Sequence, residues 1–190
     1  MSSGAKGWTG FALLLMLLGL LGWPLAHDRF DWQPALVWTQ PWRAWTAVAV
    51  HYSAAHLAVN LVGGALVAAL GWAARITLPM VWAWAAAWPL TQWGLLVEPH
   101  LAHYGGLSGV LHAGVAVAAL HLVLARSGTA RRIGVACLAG LFIKVLSEAP
   151  WNGPQFHAGL GITVAPIAHA SGLAAGLLCA AFAHALRRAR

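Results

Sequence analysis

The sequence predicts an all-α membrane protein, a single domain of six transmembrane helices spread over residues 1–190. Three observations lead there. Hydrophobic residues make up 61% of the chain and charged ones 8%, far from the balance of a water-soluble globule. The apolar stretches run continuously for about 20 residues, the length a helix needs to cross the roughly 30 Å hydrocarbon core. They lack the period-2 alternation of barrel strands. Basic residues, finally, recur in alternate links between those stretches.

The spans fall at about residues 8–26, 53–73, 77–97, 107–125, 131–149 and 164–186. The first follows Lys6 and has the look of a leader, but it has no Ala-x-Ala cleavage site and runs into a loop with Pro24, Asp28 and Asp31. We expect it to stay as a span. Lys6, Arg75, Arg126, Arg131, Arg132, Arg187, Arg188 and Arg190 occupy the N-terminus, the second–third and fourth–fifth links and the C-terminus. Those places share one face of a six-span bundle, whereas Arg29, Arg43, Asp28, Asp31, Glu98 and Glu148 take the other. The positive-inside rule then puts both termini in the cytoplasm. The formal net charge of +7 is therefore a topology signal, and nucleic acid is not an expected partner.

Trp23, Trp32, Trp38, Trp42, Trp45, Trp93 and Trp151 cluster at the outer ends, as an interfacial belt would. Residues 27–46 read as an amphipathic outer segment, lying in the interface or against the bundle. In span two, His56 and Asn60 are four apart and share one face, with His51 just ahead of the span or around its side. Span three carries four tryptophans and reads as packing and lipid contact. Span four opens on Gly105-Gly106-Leu107-Ser108-Gly109 and carries His112 one turn later. Span five ends with Lys144 and Glu148, spaced i,i+4, and a Pro150–Pro154 turn follows. Span six opens with His169 and continues through Gly172 and Gly176, a spacing that lets two helix backbones approach closely. Cys137 and Cys179 lie inside spans and read as small core residues.

Spans two, four and six run in the same direction, so their first turns lie at one depth, in the outer half of the bilayer. That places Ser108, His169, His56 and Asn60 in one layer. A serine hydroxyl becomes a nucleophile when a base within hydrogen-bond reach takes its proton, and histidine is suited to that. A tetrahedral oxyanion needs preorganised donors, for which the Ser108 N–H and the His56 and Asn60 side chains are candidates. Gly105, Gly106 and Gly109 permit a sharp turn and close approach of a substrate strand. No Asp or Glu stands near His169 in sequence, which points to a Ser–His dyad.

With these residues in view, the chain resembles the rhomboid family of intramembrane serine proteases over about residues 42–186. Three ordered blocks carry the likeness: Trp42-Arg43…Thr46…His51…His56…Asn60, then Gly106-Leu107-Ser108-Gly109, then Ala168-His169-Ala170-Ser171-Gly172…Gly176. The resemblance implies a rhomboid-like bundle with Ser108 as nucleophile and His169 as general base. It implies His56, Asn60 and the Ser108 amide as oxyanion donors, Gly106 backbone in substrate seating, and a structural His51. Where the common pattern has a tyrosine that stacks on the catalytic histidine, this chain has His112, placed to pack against His169 or bond to it and counted with the substrate-binding residues. The compact size, the Leu-Ser-Gly-Val-Leu-His run and the Lys144/Glu148 pair are most similar to the rhombosortase branch. That branch implies a bacterial inner-membrane enzyme with its site open to the periplasm. It would cleave Gly-rich C-terminal transmembrane sorting tails of exported proteins, with transfer of the new terminus to a lipid-like amine. Membrane lipids and such tails are the implied partners; no cofactor and no metal are implied.

Other readings stay open. Lys144 and Glu148 are either a plain ion pair with a snorkelling lysine, or a pair facing the site that holds the amine acceptor or the new terminus. The enzyme is alternatively a general rhomboid that only hydrolyses, or a non-catalytic relative that recognises membrane helices. A metal- or haem-binding protein is the remaining reading, given ten histidines, five of them (His51, His56, His100, His103, His157) on the outer side. Against it, His-Glu-x-x-His is missing and acidic ligands are scarce.

Overall fold

The computed structural model describes residues 3–189. It is helical apart from one small hairpin. Helix α1 (Ser3–Gly22) leads into an outer segment with the short helices α2 (His27–Phe30) and α3 (Arg43–Thr46). Then come α4 (Ala54–Ala73), α5 (Leu78–Trp93), α6 (Ser108–Ala125) and α7 (Gly128–Ser147). An antiparallel hairpin of β1 (Gln155–His157) and β2 (Ile162–Val164), with Phe156 opposite Thr163, precedes α8 (Ile167–Arg188).

Five of these helices, α1, α4, α6, α7 and α8, are long and apolar enough to cross a membrane. The expected third span is different. α5 has 16 residues, and a 3₁₀ turn at Gly94–Val97 extends it. Several expected edges also move, two of them for a local reason. α1 stops at Gly22 rather than near residue 26, because Pro24 disfavours helix in the residue before it. α8 starts at Ile167 rather than 164, since Ile162–Val164 pairs as a strand and Pro166 supplies the fixed φ of a helix entry.

The four basic places gather at one end of the bundle. Arg126 donates to the carbonyls of Ala74 (3.4 Å) and Arg75 (3.1 Å), and Arg187 donates to Thr77 Oγ1 (3.2 Å). Gly4 of α1 abuts the Ile76 carbonyl in the same region. This is the clustering that the alternation of basic links predicts.

α6 is the centre: 61% of it is buried, against 22–39% of the most apolar stretch of the other four long helices. Two indoles fasten the helices around it. Trp8 on α1 donates to the Val67 carbonyl on α4, and Trp84 on α5 donates to Val110 on α6, both at 2.8 Å. Their ring centroids are 4.3 Å apart, so one aromatic pair joins four helices. On its other side α6 meets α8 backbone to backbone. A Cβ at Gly172 would land on the Gly109 carbonyl oxygen, and one at Gly176 would lie 2.5 Å from that of Ala113. The Gly172/Gly176 face thus packs α8 against α6, as its spacing predicts.

The outer segment folds over the end opposite the arginines. Arg43, which is buried, donates to the Asp31 carboxylate at 3.2 Å and to the Asp28 and Asp31 carbonyls at 2.9 and 2.8 Å. Trp32 is fully buried and exchanges backbone hydrogen bonds of 2.7 and 2.8 Å with Tyr104. Its expected place in the interfacial belt is therefore corrected: Trp32 packs inside with Trp93, whereas Trp38, Trp42, Trp45 and Trp151 stay exposed.

The glycine contact makes a test. Gly172→Leu should destabilise the protein by about 1–3 kcal/mol or more, since the added carbons meet backbone that cannot yield. Gly10→Ala, where nothing lies within 4 Å of the new methyl, should be neutral or mildly stabilising. Thermal unfolding of both variants in the same detergent checks the contrast.

Candidate functional site

Ser108 is the first residue of α6, and its neighbours hold it there. Gly106 adopts φ +123°, which favours glycine, and its N–H donates to the Ala47 carbonyl at 2.9 Å. The Tyr104 hydroxyl lies 3.5 Å from Ser108 Oγ and accepts from the Gly109 N–H at 3.4 Å. Because Tyr104 is itself bridged to Trp32, the outer segment fixes the loop that delivers the serine.

Ser108, His169, His56, Asn60 and His112 all face one cavity of about 820 Å³, as do Lys144 and Glu148. The first turns of α4, α6 and α8 thus meet at one cavity. Among the described residues no hydrogen bond joins Ser108 Oγ to His169. Gly106 packs under His56, whose Nε2 would lie 2.7 Å from a Cβ at that position. The buried His56 Nδ1 and Asn60 Nδ2 have no protein partner. Asn60 therefore lines the cavity with its buried Nδ2 uncommitted.

Helix α4 owes its start to Ser53, whose Oγ accepts the His56 N–H at 3.1 Å and donates to the Leu160 carbonyl at 2.7 Å. The tip of the hairpin is thereby tied to the turn that carries His56. His51 sits just ahead of α4, fully buried, its ring 4.9 Å from that of His56. Burial, and then the charge His56 would carry, lower its pKa from 6.5 to about 4, so it is neutral near pH 7. Burial, and then the adjacent Asp31 carboxylate, push the Tyr52 phenol above its ordinary range. Tyr52 therefore remains a donor to Asp31, at 3.0 Å.

His112 donates through Nδ1 to the Ser108 carbonyl at 2.7 Å. Its ring stacks on His169 with centroids 4.1 Å apart and planes within 10°. A histidine thus supplies the flat packing partner at that position.

One expectation is overturned. A carboxylate does stand at His169: Glu148 Oε2 lies 2.6 Å from His169 Nδ1. Lys144 Nζ lies 2.8 Å from Glu148 Oε1 and 3.0 Å from the same ring nitrogen. The i,i+4 ion pair exists, and it faces the site. Sequence adjacency hides this because Glu148 and His169 lie 21 positions apart, with the hairpin between them. Two further features went unforeseen. Tyr104 carries no motif of its own. The hairpin had a signal in Phe156…Ile162-Thr163-Val164 around Gly159 and Gly161, a β-rich pair of runs bounding a glycine turn.

Among the described residues, no three His, Cys, Asp or Glu side chains are grouped to share a metal ion. No protein-family model matches the chain, and no curated protein matches it. What fold and site define together is a helical bundle with five helices able to cross a membrane, four of which (α4, α6, α7 and α8) border a largely apolar cavity that carries a few polar side chains.

His51 gives a pH test. Its neutral form is favoured by the fold, so the unfolded chain takes up a proton first as pH falls. This contribution is fully present above about pH 6.5 and is lost between about 6.5 and 4, a total on the order of 3 kcal/mol. Thermal melts from pH 7 to 4 should show that loss, and His51→Phe should flatten the slope even if its absolute stability is lower.

Proposed function

We propose that this chain is an intramembrane serine endopeptidase of the rhomboid type, most similar to the rhombosortase branch. The observation that carries the reading is the single cavity shared by Ser108, His169, His56 and Asn60, which come from three different helices. The three ordered sequence blocks support it independently. In this reading α5 and its 3₁₀ extension form the sixth span. The arginine end of the bundle is cytoplasmic, and the cavity opens on the periplasmic side of a bacterial inner membrane.

Ser108 Oγ attacks the scissile carbonyl carbon while His169 takes its proton. The oxyanion is held by the N–H of Ser108, at a helix N-terminus, and by N–H groups of His56 and Asn60. Collapse of the tetrahedral species breaks the C–N bond, and His169 returns the proton to the departing amine. Water or an amine then attacks the acyl-enzyme, with His169 again taking the proton. The leaf of small residues at Gly105 and Gly106 leaves room for an extended Gly-rich substrate segment, whose glycines ease the local unwinding of a transmembrane helix. Gly106 and His112 border that segment. The substrate is accordingly an exported protein with a Gly-rich C-terminal transmembrane tail and a basic end. The acceptor is water or, as in the rhombosortase branch, a lipid-like amine.

Ser108→Ala and His169→Ala should each abolish cleavage of such a tail in purified, detergent-solubilised protein. Asn60→Ala should lower kcat by about 10²–10³-fold as one oxyanion donor is lost. Mass spectrometry of the new C-terminus separates outcomes: a free carboxylate means hydrolysis alone, and an added amine means transfer. Cleavage that survives Ser108→Ala would sink the serine mechanism.

A further inference from the structure

We propose that Glu148 is a positioning residue for His169, and that Lys144 balances its charge, so that the working unit is Ser108–His169–Glu148 with a lysine counterion. This rests on the serine-peptidase reading above and adds a member that a dyad lacks. The geometry carries it. A 2.6 Å approach between a ring nitrogen and a carboxylate oxygen requires a proton between them, because two bare lone pairs at that distance repel. The proton belongs on Nδ1, donated to Glu148 Oε2. Lys144 Nζ, 3.0 Å from the same nitrogen, is then a second donor and cannot bond to it; its hydrogen bond goes to Glu148 Oε1 at 2.8 Å. One carboxylate thus takes the imidazole N–H on one oxygen and the ammonium on the other.

Two consequences follow for the reaction. With the proton fixed on Nδ1, the lone pair of His169 is on Nε2, the nitrogen free to accept the Ser108 proton. When Ser108 Oγ bonds to the carbonyl carbon, its proton moves to Nε2 and the ring becomes an imidazolium. Glu148 faces that new positive charge directly, as the carboxylate of a serine-protease triad does. Lys144 opposes it, and in the resting site it keeps Glu148 from standing as an unpaired charge at the end of an apolar helix. The stack with His112 holds the ring plane that both contacts need.

Other charges near His169 leave the assignment intact. His112 on α6 has its Nδ1 committed to the Ser108 carbonyl. His56 on α4 faces the same cavity from the oxyanion side, and Tyr104 lies in the loop before α6. α5 and the 3₁₀ turn after it, which pack on α8, bring no titratable residue. Lys144 in the last turn of α7 and Glu148, the residue that caps it, are therefore the charged pair in contact with the ring.

Two variants with opposite signs test the proposal. In Glu148→Gln the imidazolium faces Lys144 without compensation. Cleavage should fall by about 10²–10⁴-fold, and the acid limb of kcat/KM should move to lower pH. In Lys144→Met it faces the carboxylate alone, and the acid limb should move to higher pH by about 1–3 units. Glu148→Asp should recover part of the rate. Acid limbs that stay in place, or that move in one direction in both variants, overturn the positioning role while leaving the serine mechanism standing. A readout free of activity runs beside these: nitrogen NMR of histidine-labelled protein, with His169 assigned by His169→Ala. The neutral ring should carry its proton on Nδ1 in the wild type. A ring protonated on Nε2 overturns the proposal whether or not the protein cleaves. A wild-type protein with the Nδ1 tautomer but no Ser108-dependent cleavage would instead count against the peptidase reading alone.

Discussion

The arrangement depends on one contact, the meeting of α6 and α8 without side chains between them. Gly172 sits on the Gly109 carbonyl and Gly176 on that of Ala113. In a hydrocarbon solvent there is little hydrophobic gain from pressing two helices together, so close van der Waals contact between backbones has to do it. The consequence is local and chemical. Gly109 follows Ser108 and Gly172 lies three residues after His169, so the closest backbone approach in the interface is also the place where serine and histidine enter the cavity. A wider crossing would retain both residues and separate their functional atoms.

A second constraint works from outside the bundle. The segment between α1 and α4 is held by Asp31, which is buried with Arg43 and also takes hydrogen bonds from Tyr52 and from His103 at 2.8 Å. Burying an ion pair is costly unless each charge has further partners. Here Arg43 has four acceptors: the Asp31 carboxylate, the Asp28 and Asp31 carbonyls and Gln40 Oε1. The next residue, Trp32, bridges to Tyr104, four residues before the serine. The helix start at Ser108 is thus clamped from the outer segment on one side and from α8 on the other. Rigid placement of this kind is what a preorganised site requires.

How much of this was legible in the sequence varies with the physics of each feature. The long apolar helices could be read because span length is imposed by the bilayer, and the arginines sorted to one end because orientation depends on them. Ser108, His169, His56 and Asn60 could be assigned to one layer because helices of like direction bring equivalent turns to equivalent depth. The Gly172/Gly176 face was readable from its spacing alone. Glu148 was legible as a residue and as an i,i+4 partner of Lys144, and yet its contact with His169 was not. That contact depends on how far the chain travels between α7 and α8, and the hairpin sets that distance. Trp32 is not separable from the belt tryptophans by sequence, because interfacial and buried tryptophans have the same composition signal; the bridge to Tyr104 decides between them. Hydropathy shows the apolar length of the α5 stretch but does not register that its last turn tightens to 3₁₀.

The buried polar atoms that lack partners carry the last step. An unsatisfied buried donor or acceptor costs about 1–3 kcal/mol, so each one calls for a reason. Asn60 Nδ2 and His56 Nδ1 both belong to side chains that face the cavity. Asn60 in particular stands beside the Gly106 turn, its Nδ2 3.4 Å from where a Cβ at that glycine would lie. A site that binds a developing negative charge must hold donors open until that charge appears, and donors already paired within the protein would stabilise nothing new. His51 differs. It does not line the cavity, and both of its ring nitrogens are unpaired although it is fully buried. Its neutrality lowers that cost, and its ring supports the His56 ring from behind, where Gly19 of α1 leaves just enough room for it. The unpartnered polar groups of the cavity wall and the closely packed neutral ring behind them are thus two sides of one arrangement: polar groups kept free, on a frame packed too tightly to move and satisfy them.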